Sequence, residues 1–233
     1  LEFRRVLFRS SEFATFEFKS LVNGKDTLVG ADIELAKAIG EKLGVKVEFS
    51  VMSFDNVLAN VQSGKADIAI AGISVTDERK KVYDFSDSYY TSENVVIVKK
   101  DKVNDYTSTD SLAKQTVGTQ KGSVQETVAK KQISKASVVS LASNGEMINE
   151  LKSGQLQAVV LEKAIAEGYI AQNDDLTLAN FNLKSDGSDA YAVATRKGSD
   201  DLLKEINAVI KETKDSGKFD QWLKEASTYK QSK

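Results

Sequence analysis

One phrase occurs twice in this chain and constrains the fold more than anything else in it. Val61-Gln62-Ser63-Gly64-Lys65-Ala66-Asp67 leads into the apolar run Ile68-Ala69-Ile70-Ala71, and Leu151-Lys152-Ser153-Gly154-Gln155-Leu156-Gln157 leads into Ala158-Val159-Val160-Leu161. In each copy a helical stretch stops at Ser-Gly and gives way to a run with no polar alternation. Such a run is a strand buried on both sides, which requires helices on both faces of a mainly parallel sheet. Two copies of one phrase predict two lobes of similar construction.

The neighbouring segments continue the alternation of helix and strand, so the class is α/β. Over Asp32 to Leu43, Ile33, Ala36, Ile39 and Leu43 recur at helical spacing, Asp32 and Glu34 stand in the first turn, and Gly44 is placed to end the helix. Val45, Val47, Phe49 and Val51 then alternate as a half-buried strand does. Helices are also expected over about Asp55 to Gln62, Met147 to Lys152, 163 to 172, Asp200 to Lys214 and Phe219 to Ala226. Phe219 and Trp222 read as core anchors of the last helix.

Strand-like runs at Asn94 to Val98 and Tyr191 to Thr195 are placed to carry the chain out of one lobe and back. Residues 1–97 with 194–233 would form lobe one, 98–193 lobe two, and two crossings near 97 and 193 would form a hinge. Leu1 to Ser10 (LEFRRVLFRS) differs in character from the rest of the chain. It reads as a non-native cloning or sequencing scar on a truncated frame, or as a genuine edge strand built on Val6, Leu7 and Phe8.

Several function classes are excluded by composition. With no His and no Cys, the chain has no Ser-His-Asp or Cys-His system, no His or thiolate metal site and no disulfide. Its 32 Lys+Arg against 34 Asp+Glu are interspersed and leave a formal charge of −2, so there is no basic stripe for nucleic acid. No apolar run approaches the ~20 residues that cross a bilayer, and no charged-then-apolar signal segment opens the chain.

Three places offer chemistry. Gly72-Ile73-Ser74-Val75-Thr76-Asp77-Glu78-Arg79 follows a buried strand, where open α/β sheets bind ligands, and brings bare backbone, a hydroxyl and a guanidinium. A guanidinium fork with hydroxyl and N–H donors suits a carboxylate; the other reading of Thr76 and Arg79 is a helix cap followed by a solvated basic turn. Thr119-Gln120-Lys121-Gly122-Ser123-Val124-Gln125 lies between a strand at Thr116 to Gly118 and a helix from about Val124, where unpaired N–H groups favour an anion. Glu162 follows strand 158–161 and would either receive an ammonium group or open helix 163–172. Phe13 and Phe54 would line a ligand's aliphatic stem or belong to the core.

Gly30-Ala31-Asp32-Ile33-Glu34-Leu35, Gln62-Ser63-Gly64-Lys65-Ala66-Asp67, Ala71-Gly72-Ile73-Ser74-Val75-Thr76-Asp77-Glu78-Arg79-Lys80 and Asp84-Phe85-Ser86-Asp87-Ser88-Tyr89-Tyr90 stand in this order. Together they resemble the extracytoplasmic polar amino-acid-binding proteins of ABC importers. The resemblance runs from about Ser11 to the C-terminus and implies a two-lobed type II periplasmic-binding-protein fold that closes on one amino acid. By position it implies that Arg79, Ser74 and the backbone around Val124 hold the α-carboxylate, while the Gly72 carbonyl and Glu162 hold the α-ammonium. It makes Phe13 and Phe54 the aromatic walls and Glu12, Ala71 and Lys121 the places where selectivity is set. Ser10 stands where many members carry Asp, and Thr15 replaces a usual Pro.

The resemblance therefore implies a non-catalytic receptor for a polar or basic amino acid, with no cofactor, a membrane permease as partner and no nucleic acid. The protein would be a monomer outside the cytoplasm, in the periplasm or lipid-anchored at the cell surface. Glu12 would favour a cationic ligand such as arginine or lysine, whereas Lys121 would favour glutamine or an acidic side chain. The alternatives are an amino-acid-sensing domain of a receptor, or a dehydratase-like enzyme on the same fold with Glu12 and Glu162 as acid and base.

Overall fold

The computed structural model describes residues 4–8, 12–13, 15–185 and 189–229, with backbone alone at 4–8 and 12. Leu1–Thr91 with Ala190–Lys233 forms one unit, and Ser92–Asp189 forms the other. The chain thus passes between units a few residues before 97 and 193. The reason is that Asn94–Lys99 is an inner strand of the second unit's own sheet.

The first unit opens with β1 (Arg4–Phe8), β2 (Glu12–Phe13), β3 (Glu17–Val22) and β4 (Lys25–Val29), followed by α1 (Ala31–Leu43). It continues through β5 (Val47–Val51), α2 (Phe54–Gln62), β6 (Ile68–Ala69), α3 (Asp77–Lys80), β7 (Tyr83–Phe85) and β8 (Tyr90–Thr91). The second unit runs through β9 (Asn94–Lys99), β10 (Thr116–Gln120), α4 (Val124–Gln132), β11 (Ser137–Leu141), α5 (Asn144–Ser153), β12 (Ala158–Glu162), α6 (Lys163–Gln172) and β13 (Leu176–Leu178). The return to the first unit adds β14 (Ala190–Tyr191), β15 (Ala194–Arg196), α7 (Asp200–Asp215) and α8 (Lys218–Ala226).

The two main sheets have the same layout, in the orders β5-β1-β6-β15-β7 and β11-β10-β12-β9-β13. In the first sheet β1 pairs in parallel with β5 and β6, while β15 runs antiparallel to β6 and β7. In the second, β10 pairs in parallel with β11 and β12, while β9 runs antiparallel to β12 and β13. Each sheet therefore has one strand opposed to the other four. β1 lies inside its sheet, with Val6 level with Phe49 and Ile68. It is not the edge strand that Val6, Leu7 and Phe8 suggest on their own.

The repeated phrase folds the same way in both units. After α2, the N–H groups of Lys65 and Ala66 both donate to Asn60 O, at 3.0 and 3.3 Å; after α5, those of Gln155 and Leu156 both donate to Glu150 O, at 2.9 and 3.1 Å. Gly64 (φ 75°) and Gly154 (φ 83°) make the left-handed turn that leaves room for this double acceptance. The strands that follow bury Ile68 to Ala71 and Ala158 to Leu161 completely. One core packs Val57, Val61, Ala69, Ala71, Ile73 and Ala194, and the other Val96, Val117, Val128, Ala158 and Val160. Among the described residues no helix is long and apolar enough to cross a membrane.

Candidate functional site

In the first unit the chain leaves β6 through Ala71 and Gly72 into Ile73 and Ser74, all buried. The segment is held on one side by the return strand: Ala192 N–H donates to Ile73 O at 3.1 Å, Val75 N–H to Ala190 O at 3.2 Å, and Ser74 forms a bridge with Tyr191. α3 then begins with Thr76 as its cap, its hydroxyl accepting from Arg79 N at 3.2 Å. The cap expected from sequence is therefore real, and it aims the Arg79 side chain back at the strand end. Arg79 Nη1 donates to Ser74 O at 2.7 Å, and its guanidinium carbon lies 5.5 Å from the centre of the Phe54 ring.

This arrangement joins Gly72, Ser74, Arg79 and Phe54 in one cluster. Phe54 opens α2 and is 3% exposed, so one of its faces belongs to the core while the ring carries the guanidinium. Phe13 is 0% exposed and packs at 5.3 Å from Phe16 and 6.3 Å from Tyr191. Its core reading is thus realised, and it packs against Tyr191, which bridges to Ser74. The side chain of Glu12 and all of Ser10 lie outside the described residues.

In the second unit β10 and β12 are parallel neighbours, so Lys121 and Glu162 stand at the same end of the sheet. Ser123 caps α4: its hydroxyl accepts from Glu126 N at 3.3 Å and donates to Gln120 O at 2.6 Å. Gly122 N–H donates to Glu126 Oε2 at 2.9 Å, and Lys121 N–H to Leu141 O at 2.9 Å. Lys121 projects from the surface, whereas Val124 is 8% exposed. Glu162 is 3% exposed and caps α6 through backbone geometry, without a side-chain cap hydrogen bond.

The motif Asp84 to Tyr90, whose chemistry sequence alone leaves open, anchors the returning chain. Asp84 accepts from Lys197 Nζ and Gly198 N, both at 2.7 Å. The Lys197 hydrogen bond, with help from Gly198 N–H, holds the Asp84 carboxyl below its ordinary pKa despite partial burial. Ser86 exchanges backbone and side-chain hydrogen bonds with Val193, and Asp87 N–H donates to Asn207 Oδ1 at 2.8 Å. Tyr89 ends the series: its hydroxyl accepts from Gly72 N at 3.3 Å and donates to Asp32 Oδ2 at 3.1 Å. Tyr89 and Asp32 are 57 positions apart, so no local pattern in the sequence announces their contact.

A profile described as bacterial extracellular solute-binding proteins, family 3, matches residues 9–226. Arginine-binding extracellular protein ArtP of Bacillus subtilis (strain 168) is 34% identical over 94% of this chain and 84% of its own length. ABC transporter glutamine-binding protein GlnH of the same organism is 32% identical over 84% of this chain and 73% of its own. Among solved structures, the amino acid ABC transporter substrate-binding protein AbpA from Streptococcus pneumoniae Canada MDR_19A, bound to L-arginine, is similar with a TM-score of 0.93. The two are 49% identical, and the match covers 96% of this chain and 94% of that one.

Proposed function

This chain belongs to the bacterial extracellular solute-binding proteins of family 3, and from that premise we propose that it is a non-catalytic receptor. It closes on one polar or basic amino acid and delivers it to the membrane permease of an ABC importer. It works as a monomer outside the cytoplasmic membrane. The observation that carries the reading is the placement of Arg79. Its guanidinium is fixed by the Ser74 carbonyl and the Phe54 ring, beside the Gly72–Ser74 segment at the end of a buried strand.

Such a guanidinium keeps donors in a planar fork for a carboxylate, and the Ser74 hydroxyl adds to that shell; in the second unit the N–H groups opening α4 near Val124 likewise favour an anion. In the first unit the Gly72 carbonyl suits the α-ammonium, and in the second the buried Glu162 carboxylate suits the same group. Phe54 supplies an apolar wall, with Phe13 packed in the core against Tyr191, and selectivity is set by Glu12 and Ala71 in the first unit and by Lys121 in the second. L-Arginine is the first ligand to test, because ArtP is named for it and AbpA was solved with it.

A thermal-shift screen against the twenty amino acids tests the proposal. A ligand that binds only the folded state adds about 2.7 kcal/mol at 100 times its Kd, which moves the melt visibly. A shift limited to one or a few polar or basic amino acids is the expected result. A cooperative melt that none of the twenty moves would overturn it.

A further inference from the structure

Resting on the amino-acid reading above, we propose that Tyr89 and Asp32 are positioning residues for the α-ammonium. They form a buried relay that fixes the direction of the Gly72 carbonyl from behind the binding segment. Tyr89 is 3% and Asp32 0% exposed, and they act on the ligand through the Gly72 backbone, to which the Tyr89 hydroxyl is bonded. Asp32 sits in the first turn of α1, where the helix N-terminus stabilises a carboxylate, and its own N–H donates to Phe16 O at 2.9 Å.

The order of the hydrogen bonds gives the relay a direction. A carboxylate can only accept, so the single phenolic hydrogen of Tyr89 goes to Asp32 Oδ2 at 3.1 Å. The oxygen lone pairs are then left for Gly72 N–H at 3.3 Å. Burial, and next the negative charges of Asp32 and Glu17, push the Tyr89 phenol well above its ordinary pKa, so the hydrogen stays in place across the physiological range.

Gly72 has φ 53°, in the left-handed region. Its N–H is set by Tyr89, and the next residue is set by the bond from Ala192 N–H to Ile73 O at 3.1 Å. With both flanks fixed, the carbonyl between them has one direction. Removing the phenolic oxygen leaves a buried N–H unpaired and frees that carbonyl to turn, while the Tyr89 ring keeps its places 6.3 Å from Tyr191 and 5.4 Å from Phe219.

The test is calorimetric titration of wild type and Tyr89→Phe with whichever of L-arginine, L-histidine or L-glutamine binds wild type tightest. Each is compared with its analogue lacking the α-amino group: 5-guanidinopentanoate, 3-(imidazol-4-yl)propionate or glutaramate. The relay predicts that Tyr89→Phe weakens the amino acid by about tenfold and leaves the des-amino analogue within about twofold. Asp32→Asn, which keeps the shape but loses the charge, should give a smaller loss of the same kind, and it carries the test if Tyr89→Phe does not fold. Equal losses for both ligands, or unchanged affinity beside a lowered melting temperature, would show a purely structural role and overturn the relay. Absence of binding by wild type to all three amino acids would instead overturn the receptor reading on which it stands.

Discussion

The guanidinium of Arg79 donates to the carbonyl oxygen of Ser74 at 2.7 Å, five residues back along the same segment. That bond, with the Phe54 ring 5.5 Å from the guanidinium carbon, fixes an otherwise flexible cation at the end of β6. The cost of ordering the side chain is thus met before any ligand arrives, which is where preorganised sites gain affinity.

Arg79→Ala should therefore remove amino-acid binding and leave the fold in place. Loss of a fixed charge partner costs about 3 kcal/mol or more, roughly a hundredfold in Kd. Because Arg79 is only half-buried, no core volume is lost, and the ligand-free melting temperature should move by less than about 3 °C. Calorimetry and a melt of the same sample check both parts. Unchanged affinity would reduce Arg79 to the solvated basic turn that its sequence also allows.

Glu162→Gln separates the two readings of that residue. As the ammonium partner, it should lose about tenfold or more in amino-acid affinity, with the melting temperature of the ligand-free protein little changed because the substitution keeps the side chain's shape. If Glu162 served only to open α6, the melting temperature would fall and the affinity would hold.

The lowered pKa of Asp84 makes an acid-sensitive contribution to stability. A carboxyl whose folded pKa lies below its unfolded value of about 3.9 contributes fully above that value and loses the contribution as pH falls through the folded one. Asp84→Asn should cost about 1 kcal/mol at pH 7, a figure kept low because the Lys197 side chain is half exposed to screening solvent. The gap from wild type should narrow on acidification to about pH 3. Urea denaturation at the two pH values measures it, and a gap that widens in acid would contradict the assignment.

Gly30→Ala tests the entry to α1. Gly30 has φ 131°, and a Cβ there would stand 2.1 Å from Phe16 O. That oxygen accepts from Asp32 N–H, so it cannot withdraw without uncapping the helix. A loss of about 3 kcal/mol or more, and a fall in melting temperature of at least about 6 °C, is expected. A wild-type melt would refute this account of the helix start.

Much of the fold is legible because its signals are local. α1 with Gly44 and α5 with Gly154 follow from helical spacing and a left-handed stop, and the twin phrase around Gly64 and Gly154 foretells the twin layout of the sheets. Other features depend on partners remote in sequence. Nothing in Asn94–Lys99 or Ala194–Arg196 states which strand each will oppose, so the division of the chain is misplaced by a few residues when read from the run alone.

The site divides the same way. Thr76 and Arg79 are readable as a cap, and the structure adds that the cap is what returns the guanidinium to Ser74. Phe13 and Phe54 look alike as aromatics at element starts. Only packing shows that Phe13 turns inward to Phe16 and Tyr191 while Phe54 carries the cation. The contact from Tyr89 to Asp32 lies beyond any periodicity argument, although both residues stand in motifs that the sequence marks.

Whether this chain binds a free amino acid is decided by titrating L-arginine into the purified protein in a calorimeter. The predicted result is saturable heat at one ligand per chain, abolished in Arg79→Ala. No heat from L-arginine, and none from any other polar or basic amino acid at millimolar concentration, would contradict it.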